Sequence, residues 1–200
     1  MMDEKTIGAY DNEAAAFACE WEEEQSAPDD LRAAVRDYFS KGVTVDVGCG
    51  SGRDTAWLVR QGFKAHGVDA SQGLITEAKR RHPEVEFWQD ALPQLPTLEK
   101  RRYTNVLCET VIMHLPLEAI APTVRTLAQL LAPSGTMYLT WRVTHNAHQR
   151  DDHGRLYSAF DSDLVRAELK EFDWLLDQQS TSASSHKRIH RIVVRRRRCG

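Results

Sequence analysis

Short apolar runs rich in β-branched residues alternate along this chain with stretches whose apolar positions recur at helical spacing. Period-2 or continuous apolar character predicts strands at Val43–Val47, Lys64–Val68, Val85–Trp88, Tyr103–Cys108 and Thr136–Trp141. Between them, helical spacing predicts helices at Arg53–Arg60, Ser71–Arg81 (stopped by Pro83) and Leu117–Leu131, the last ending at Ala132-Pro133-Ser134-Gly135. Residues 10–39 read as helical in one or two pieces, with Pro28 opening the segment Asp29–Phe39. After a polar loop over residues 142–160, a helix is expected at Ser162–Phe172 with Asp161 as its N-cap. Closing strands follow at Trp174–Gln178 and Ile189–Arg195, joined by a turn at Ser180–Ser185.

Five strand–helix units and a terminal hairpin describe an α/β fold. The expectation is a Rossmann-like, seven-stranded, mostly parallel sheet with helices on both faces and a C-terminal antiparallel hairpin, because parallel crossovers are right-handed. A length of 200 residues suits one globular domain. Within it, residues 1–40 read as an N-terminal helical lid segment and 41–200 as a ligand-binding domain.

Composition narrows the class. With 42% hydrophobic and 28% charged residues, the chain has an ordinary globular balance. No stretch approaches the roughly 18 apolar residues of a membrane span, and the N-terminus lacks the apolar core of a secretory signal. Cys19, Cys49, Cys108 and Cys199 form no CxxC pair, so a reducing cytoplasm is expected rather than a disulfide framework or zinc site. A net charge of −3 carries no nucleic-acid signature, and the run Arg195–Arg198 reads as a solvated tail.

The most informative segment is Asp46-Val-Gly-Cys-Gly-Ser-Gly52, placed between a predicted strand and a predicted helix. Glycines there permit positive φ and close approach of a ligand, and the helix start offers free N–H groups. A dinucleotide fingerprint needs its third glycine three residues after the second, but here Gly52 follows Gly50 by two and Arg53 takes the expected place. The Gly-Lys-Ser/Thr of a phosphate loop is absent. Asp46 beside the loop suits a cation rather than a pyrophosphate. S-adenosylmethionine, with its ammonium and sulfonium, meets that condition.

These residues resemble motif I of the class I S-adenosylmethionine-dependent methyltransferases, in their small-molecule branch. The resemblance covers about residues 40–141. It implies that Asp46, Gly48, Cys49, Gly50 and Gly52 line the cofactor, with Cys49 as a small filler. Gly67-Val-Asp69-Ala70 ends the second strand with an acid, and the resemblance assigns Asp69 to the ribose hydroxyls, with Ala70 beside it. Asp90 ends the third strand at the position that accepts from the adenine amino group, next to the Ala91 amide. Glu109, before Val111-Ile-Met-His114-Leu-Pro116, falls where the methionine moiety is lined. Arg53 matches a position that can contact the cofactor carboxylate.

Methyl transfer is mainly a matter of positioning, so the catalytic group is hard to name from sequence. His114 is the candidate base. Tyr10, in a Tyr-Asp segment of the N-terminal helix, is a candidate roof. The loop after the fifth strand concentrates charge, and Arg142, Arg150, Arg155 and Tyr157 are candidates for binding a small polar or acidic acceptor. His145, His148 and His153 with Asp151 and Asp152 match no metal motif, and no metal is expected. The expected product is S-adenosylhomocysteine. An RNA or protein methyltransferase and a non-catalytic S-adenosylmethionine-binding protein stay open, and the glycine spacing disfavours an NAD-dependent oxidoreductase. No membrane or nucleic-acid partner is expected.

Overall fold

In a computed structural model, residues 2–144 and 147–198 are described. Five strands, β1 (Val43–Val47), β2 (Lys64–Asp69), β3 (Phe87–Gln89), β4 (Tyr103–Cys108) and β5 (Leu131–Arg142), run parallel. Two more, β8 (Asp173–Thr181) and β9 (Arg188–Arg195), close the sheet antiparallel, in the order β3-β2-β1-β4-β5-β9-β8. A separate two-stranded ribbon, β6 (Gln149–Arg150) with β7 (Leu156–Tyr157), lies in the polar loop. Val45, Val47, Val106 and Leu107 are fully buried, as strands covered on both faces must be.

The helices divide between the faces. On one side α3 (Asp29–Tyr38) and α4 (Arg53–Arg60) pack Leu31, Val35, Trp57 and Leu58 against Leu107, Tyr138 and Val193. On the other, α6 (Leu117–Gln129) and α7 (Asp163–Glu168) bury Ile120, Val124, Leu127 and Val165 against Val106, Met137 and Ile192. The strand α4 and α5 (Gln72–Arg81) flank, β2, carries the chain to a third small cluster around Ile75, Ala78 and Phe87.

Several boundaries differ from expectation for local reasons. The N-terminal helix begins earlier, as α1 (Glu4–Asn12), because the Asp3 carboxylate accepts from Thr6 N–H at 2.9 Å and caps it. It continues as α2 (Ala14–Cys19) and a π-helical turn, Glu20–Glu24. Helix α6 stops at Gln129, and β5 begins at Leu131, which pairs with Tyr103. The expected Ala132–Gly135 turn is there, but as an excursion inside β5, with Ser134 at φ 63° before Thr136 pairs with Asn105. Helix α7 is shorter than expected. The Asp161 carboxylate still receives Asp163 N–H at 2.8 Å, although Ser162 is the residue that flanks the helix. Strand β8 extends to Thr181, which moves the turn to residues 182–187. The arginine run is a solvated tail only in part, since Arg195 and Arg196 are half-buried while Arg197 and Arg198 are exposed. Arg195 donates to Thr136 Oγ1 and Tyr38 O, Arg196 to Leu131 O, Arg197 to Asp173 and Arg198 to Ser134 Oγ.

Among the described residues no helix is long and apolar enough to cross a membrane. Cys19, Cys49 and Cys108 are free thiols, and Cys199 lies outside the described residues.

Candidate active site

The strand order reverses between β1 and β4, so the loops leaving these neighbours part and open a crevice at their carboxyl ends. A cavity of about 470 Å³ occupies that place. Three acids line it from three strands: Asp46 from β1, Asp69 from β2 and Glu109 just past β4. Burial pushes the Asp46 carboxyl up to about 8, with the Asp54 charge adding to it, although Thr55 Oγ1 donates to Asp46 at 2.7 Å. Burial also pushes Glu109 up to about 7, against the Thr140 hydroxyl that donates to it at 2.6 Å. Asp69 is likewise raised by burial, while the N–H groups of Gly50 and Ser71 each donate to one of its oxygens at 2.9 Å. None of the three has an ion-pair partner among the described residues. Buried acids of this kind gain from a cation.

The glycine loop is shaped by contact on both sides. Gly48 has φ 76°, and a Cβ there would lie 2.2 Å from Val111 Cγ2. Gly50 has φ 55°, and its Cβ would meet the Trp21 ring at 2.8 Å, so this loop carries the roof of the cavity as well as its floor. Thr110, immediately after Glu109, takes φ 53°, and its N–H donates to Thr140 Oγ1 at 2.9 Å. The chain Thr110 N–H to Thr140 hydroxyl to Glu109 carboxylate therefore fixes the acid.

The N-terminal segment covers the crevice through polar anchors. Asp11 accepts from Ser71 Oγ at 2.6 Å and Gly73 N–H at 2.9 Å, at the start of α5 where the helix dipole favours an acid. Glu22 meets His82 at 3.1 Å and Glu23 meets Arg81 at 3.0 Å. Tyr10 lies edge-on to Phe17, Trp21 and His114. His114 Nδ1 is 2.6 Å from Leu156 O and must donate to it, which leaves Nε2 to accept the Tyr10 hydroxyl at 3.0 Å. Burial holds His114 down at about 4 and raises the Tyr10 phenol, so both are neutral near pH 7.

Most of the residues singled out in the sequence meet in this one cavity. Asp46, Gly48, Cys49, Gly50 and Arg53 line it from the first loop, and Asp69, Ala70, Asp90 and Glu109 from the next three strand ends. Tyr10, His114, Arg142, Arg155 and Tyr157 line the remainder. Gly52 does not: it faces the Phe87 ring, 2.6 Å from where its Cβ would stand. Ala91 does not reach the lining, and its N–H donates to Asp90 Oδ1 at 2.8 Å. The other Asp90 oxygen takes the N–H of Thr97 at 2.9 Å and its hydroxyl, so Asp90 caps this loop while facing the cavity. Arg53 is paired bidentate with Asp54 and donates to Trp21 O at 3.0 Å. Arg150 stands outside the cavity, paired with Asp3 at 2.7 Å. Arg155 is paired with Asp151 at 2.6 Å and packed over the Tyr10 and Phe17 rings.

Other lining residues were not anticipated: Trp21 and Gln25 of the roof, Leu92 and Leu95, and Ser182, Ser184, Ser185 and Lys187 of the terminal hairpin turn. The turn had a legible signal. A strand antiparallel to β5 must begin where β5 ends, at the ligand end of the sheet. Among the described residues no cluster of three or more His, Cys, Asp or Glu side chains could hold a metal ion. His148 accepts from Ala159 N–H and His153 pairs with Glu13, while His145 lies outside the described residues.

Comparison with known proteins agrees with this geometry. Residues 44–135 match the family model of a methyltransferase domain. A ubiquinone biosynthesis O-methyltransferase of Xylella fastidiosa (strain 9a5c) is 30% identical over 139 residues, 63% of this chain and 56% of that protein. The chain spans about half the length of the curated relatives it matches. The structure of magnesium protoporphyrin IX methyltransferase from Synechocystis PCC 6803 with bound S-adenosylmethionine has 22% identity and a TM-score of 0.72, covering 98% of both chains. The (4+2)-cyclase SpnF shares the fold at a TM-score of 0.70 and 15% identity, over 98% of this chain and 94% of its own. The matched segment begins at the second residue of β1 and takes in the glycine loop and the acids after β2, β3 and β4. The chain therefore has the Rossmann-like fold of these proteins, and its residues 44–135 are similar to a methyltransferase domain.

Proposed function

We propose that the protein is an enzyme that transfers a methyl group from S-adenosylmethionine to a small polar or acidic acceptor, releasing S-adenosylhomocysteine. The observation that carries this reading is the meeting of Asp46, buried, with Asp69 and Glu109, half-buried, all without cationic partners among the described residues, on a glycine loop at a strand-order reversal. Such a donor set fits an adenosyl cation and repels a pyrophosphate.

Bound there, S-adenosylmethionine supplies a methyl already activated on a sulfonium. The residues of the chain then bind and orient. Asp69 keeps a free lone pair on each oxygen for the ribose hydroxyls. Asp90 would face the adenine, held in place by the Ala91 N–H, and Cys49 and Ala70 would pack beside it. Asp46 and Glu109 neutralise the ammonium and sulfonium end, and Arg53 has two N–H donors left for the cofactor carboxylate after its bonds to Asp54 and Trp21. On the acceptor side we assign Tyr10, Tyr157 and Arg142, while Arg155, engaged by Asp151 and two aromatic rings, packs the roof. His114 orients the Tyr10 hydroxyl, and at a pKa of about 4 it is a weak proton sink at neutral pH. Arg150 joins the roof to the β6–β7 ribbon through Asp3 rather than meeting the acceptor. Residues 1–40 act as the lid over the domain formed by 41–200. Free thiols and the charge balance fit a cytoplasmic protein, with no nucleic acid as partner.

The test is incubation of the protein with methyl-tritiated S-adenosylmethionine and, separately, small metabolites, RNA and protein from a cell extract. Label entering a small organic product, and lost with Asp69→Ala, is the expected result. Label entering only RNA or protein overturns the acceptor class. One observation favours a second reading, that the site serves a reaction other than methyl transfer: the fold is shared with a cyclase over nearly the whole chain. Cofactor binding without label in any fraction would support it.

A further inference from the structure

The cavity has a second electrostatic pole, built by the antiparallel end of the sheet. Strand β9 runs against β5, so its first residues lie beside the carboxyl end of β5, where Arg142 pairs with Ile189. Val143 N–H donates to Arg188 O at 2.9 Å and extends that ladder by one step. Side chains alternate across a strand, so Thr140 and Arg142 on β5 share one face, and Lys187 and Ile189 share the matching face opposite. The cavity lining follows that alternation: Arg142, Lys187 and Ile189 belong to it, and Val143 and Arg188 do not.

Neither cation is neutralised by a carboxylate among the described residues, in contrast to Arg53, Arg150 and Arg155. Arg142 lies over the Tyr157 ring, 5.0 Å from its centre, which steadies the guanidinium. The turn between the strands closes with Ser182 N–H on Lys187 O at 2.9 Å and His186 N–H on Ser182 O at 3.0 Å, with His186 at φ 54°. Its Ser182 and Ser184 hydroxyls lie 3.3 Å apart and Ser182 Oγ accepts from Ser185 N–H at 3.4 Å, so one hydroxyl proton of the pair is left for the cavity. The acids Asp46, Asp69 and Glu109 come from β1, β2 and β4, on the other side of β5 from Lys187. Glu20 of the roof also lines the cavity, and Gln25 donates to its carboxylate at 2.8 Å.

We propose that Arg142 and Lys187, completed by the Ser182–Ser184 hydroxyls, bind a carboxylate on the acceptor and thereby set its class: a small organic acid held by its acid group, with its methyl-accepting atom turned towards the strand-end acids. The proposal rests on the methyltransferase reading and narrows it. Arg155 is left with a packing role, because Asp151 and two aromatic rings already occupy its guanidinium.

The test uses the full chain saturated with S-adenosylhomocysteine and a thermal-shift panel of acid and amide pairs at millimolar concentration. The pairs are 4-hydroxybenzoate with 4-hydroxybenzamide, indole-3-acetate with indole-3-acetamide, and cinnamate with cinnamide. The expected result is that at least one acid binds about tenfold or more better than its amide, the discrimination of a charged hydrogen bond. That preference should vanish in Lys187→Gln and in Arg142→Gln, and partly return in Arg142→Lys. S-adenosylhomocysteine affinity should stay within about twofold in Lys187→Gln, because Lys187 stands across β5 from the strand-end acids. The proposal is overturned if amides bind as well as their acids, if no acid in the panel binds, or if the preference survives both glutamine variants. Failure of the wild-type protein to bind S-adenosylhomocysteine is a different outcome and removes the underlying reading instead.

Discussion

At the scale of single residues, the site is governed by what burial does to charge. Asp46 and Glu109 have folded-state pKa values of about 8 and about 7, above the ordinary carboxylate range. Between their ordinary and raised values the folded protein binds more protons than the unfolded chain, so these groups stabilise the ligand-free protein at acid pH and that contribution is lost as pH rises through 7 and 8. A cation reverses the balance. S-adenosylmethionine affinity should rise from about pH 6 to about pH 8.5, by up to about tenfold per unit for each proton released. Calorimetry in buffers of different ionisation enthalpy reads the released protons directly, and pH-independent binding would contradict the burial argument. His114 works in the opposite sense. Held at about 4, its stabilising contribution is complete above about pH 6.5 and is lost as pH falls towards 4. With S-adenosylmethionine saturating, so that Asp46 and Glu109 are already ionised, kcat/KM for the acceptor should therefore show no inflection near the ordinary histidine pKa, whereas an inflection there that His114→Asn abolishes would make His114 a working general base.

At the scale of elements, the first loop and the roof are coupled. The Gly48 Cβ position is occupied by Val111, and its φ of 76° disfavours any L side chain. Gly48→Ala should destabilise the protein by at least about 2 kcal/mol. Adding Val111→Ala should recover the clash but not the backbone strain, which denaturant melts of the single and double variants will separate. The roof is held by Asp11 on the start of α5, and Asp11→Ala should cost about 1 kcal/mol per lost bond locally. Amide exchange over Glu4–Asn12 should then speed while exchange in β1 and β4 stays slow. Unchanged exchange in α1 would mean that the aromatic contacts of Tyr10 and Phe17 suffice. Elements with strong local signals were legible in sequence. Strand β1, helix α4 and strand β4 begin and end where period and glycine punctuation put them. The start of α1 was missed because Asp3 caps a helix of weakly apolar pattern, and the true start of β5 was hidden by Pro133 and Gly135, which read as a helix stop but form an excursion within the strand.

At the scale of the whole molecule, topology assembles what no local pattern can. The acids after β1, β2 and β4 were legible because parallel strands deliver their carboxyl ends to one edge. Arg142, Arg150 and Arg155 looked alike as a dense run of charge, yet Arg155 is paired four residues away with Asp151 and Arg150 with the distant Asp3, a partner that leaves no trace in spacing. Lys187 and the serine turn were legible only through topology, because a strand antiparallel to β5 must start at the ligand end of the sheet. Ligand binding at this central crevice should stabilise the fold as a unit. At a hundredfold excess over Kd the gain is about 2.7 kcal/mol, or a Tm rise of about 5–11 °C for a chain of this size. The most direct test is calorimetric titration of the protein and of Asp69→Ala with S-adenosylmethionine and with NAD. The account predicts one tight site for S-adenosylmethionine, weakened by about 1.5–3 kcal/mol in the variant, and no heat from NAD. Tight NAD binding, or S-adenosylmethionine binding indifferent to Asp69, would contradict it.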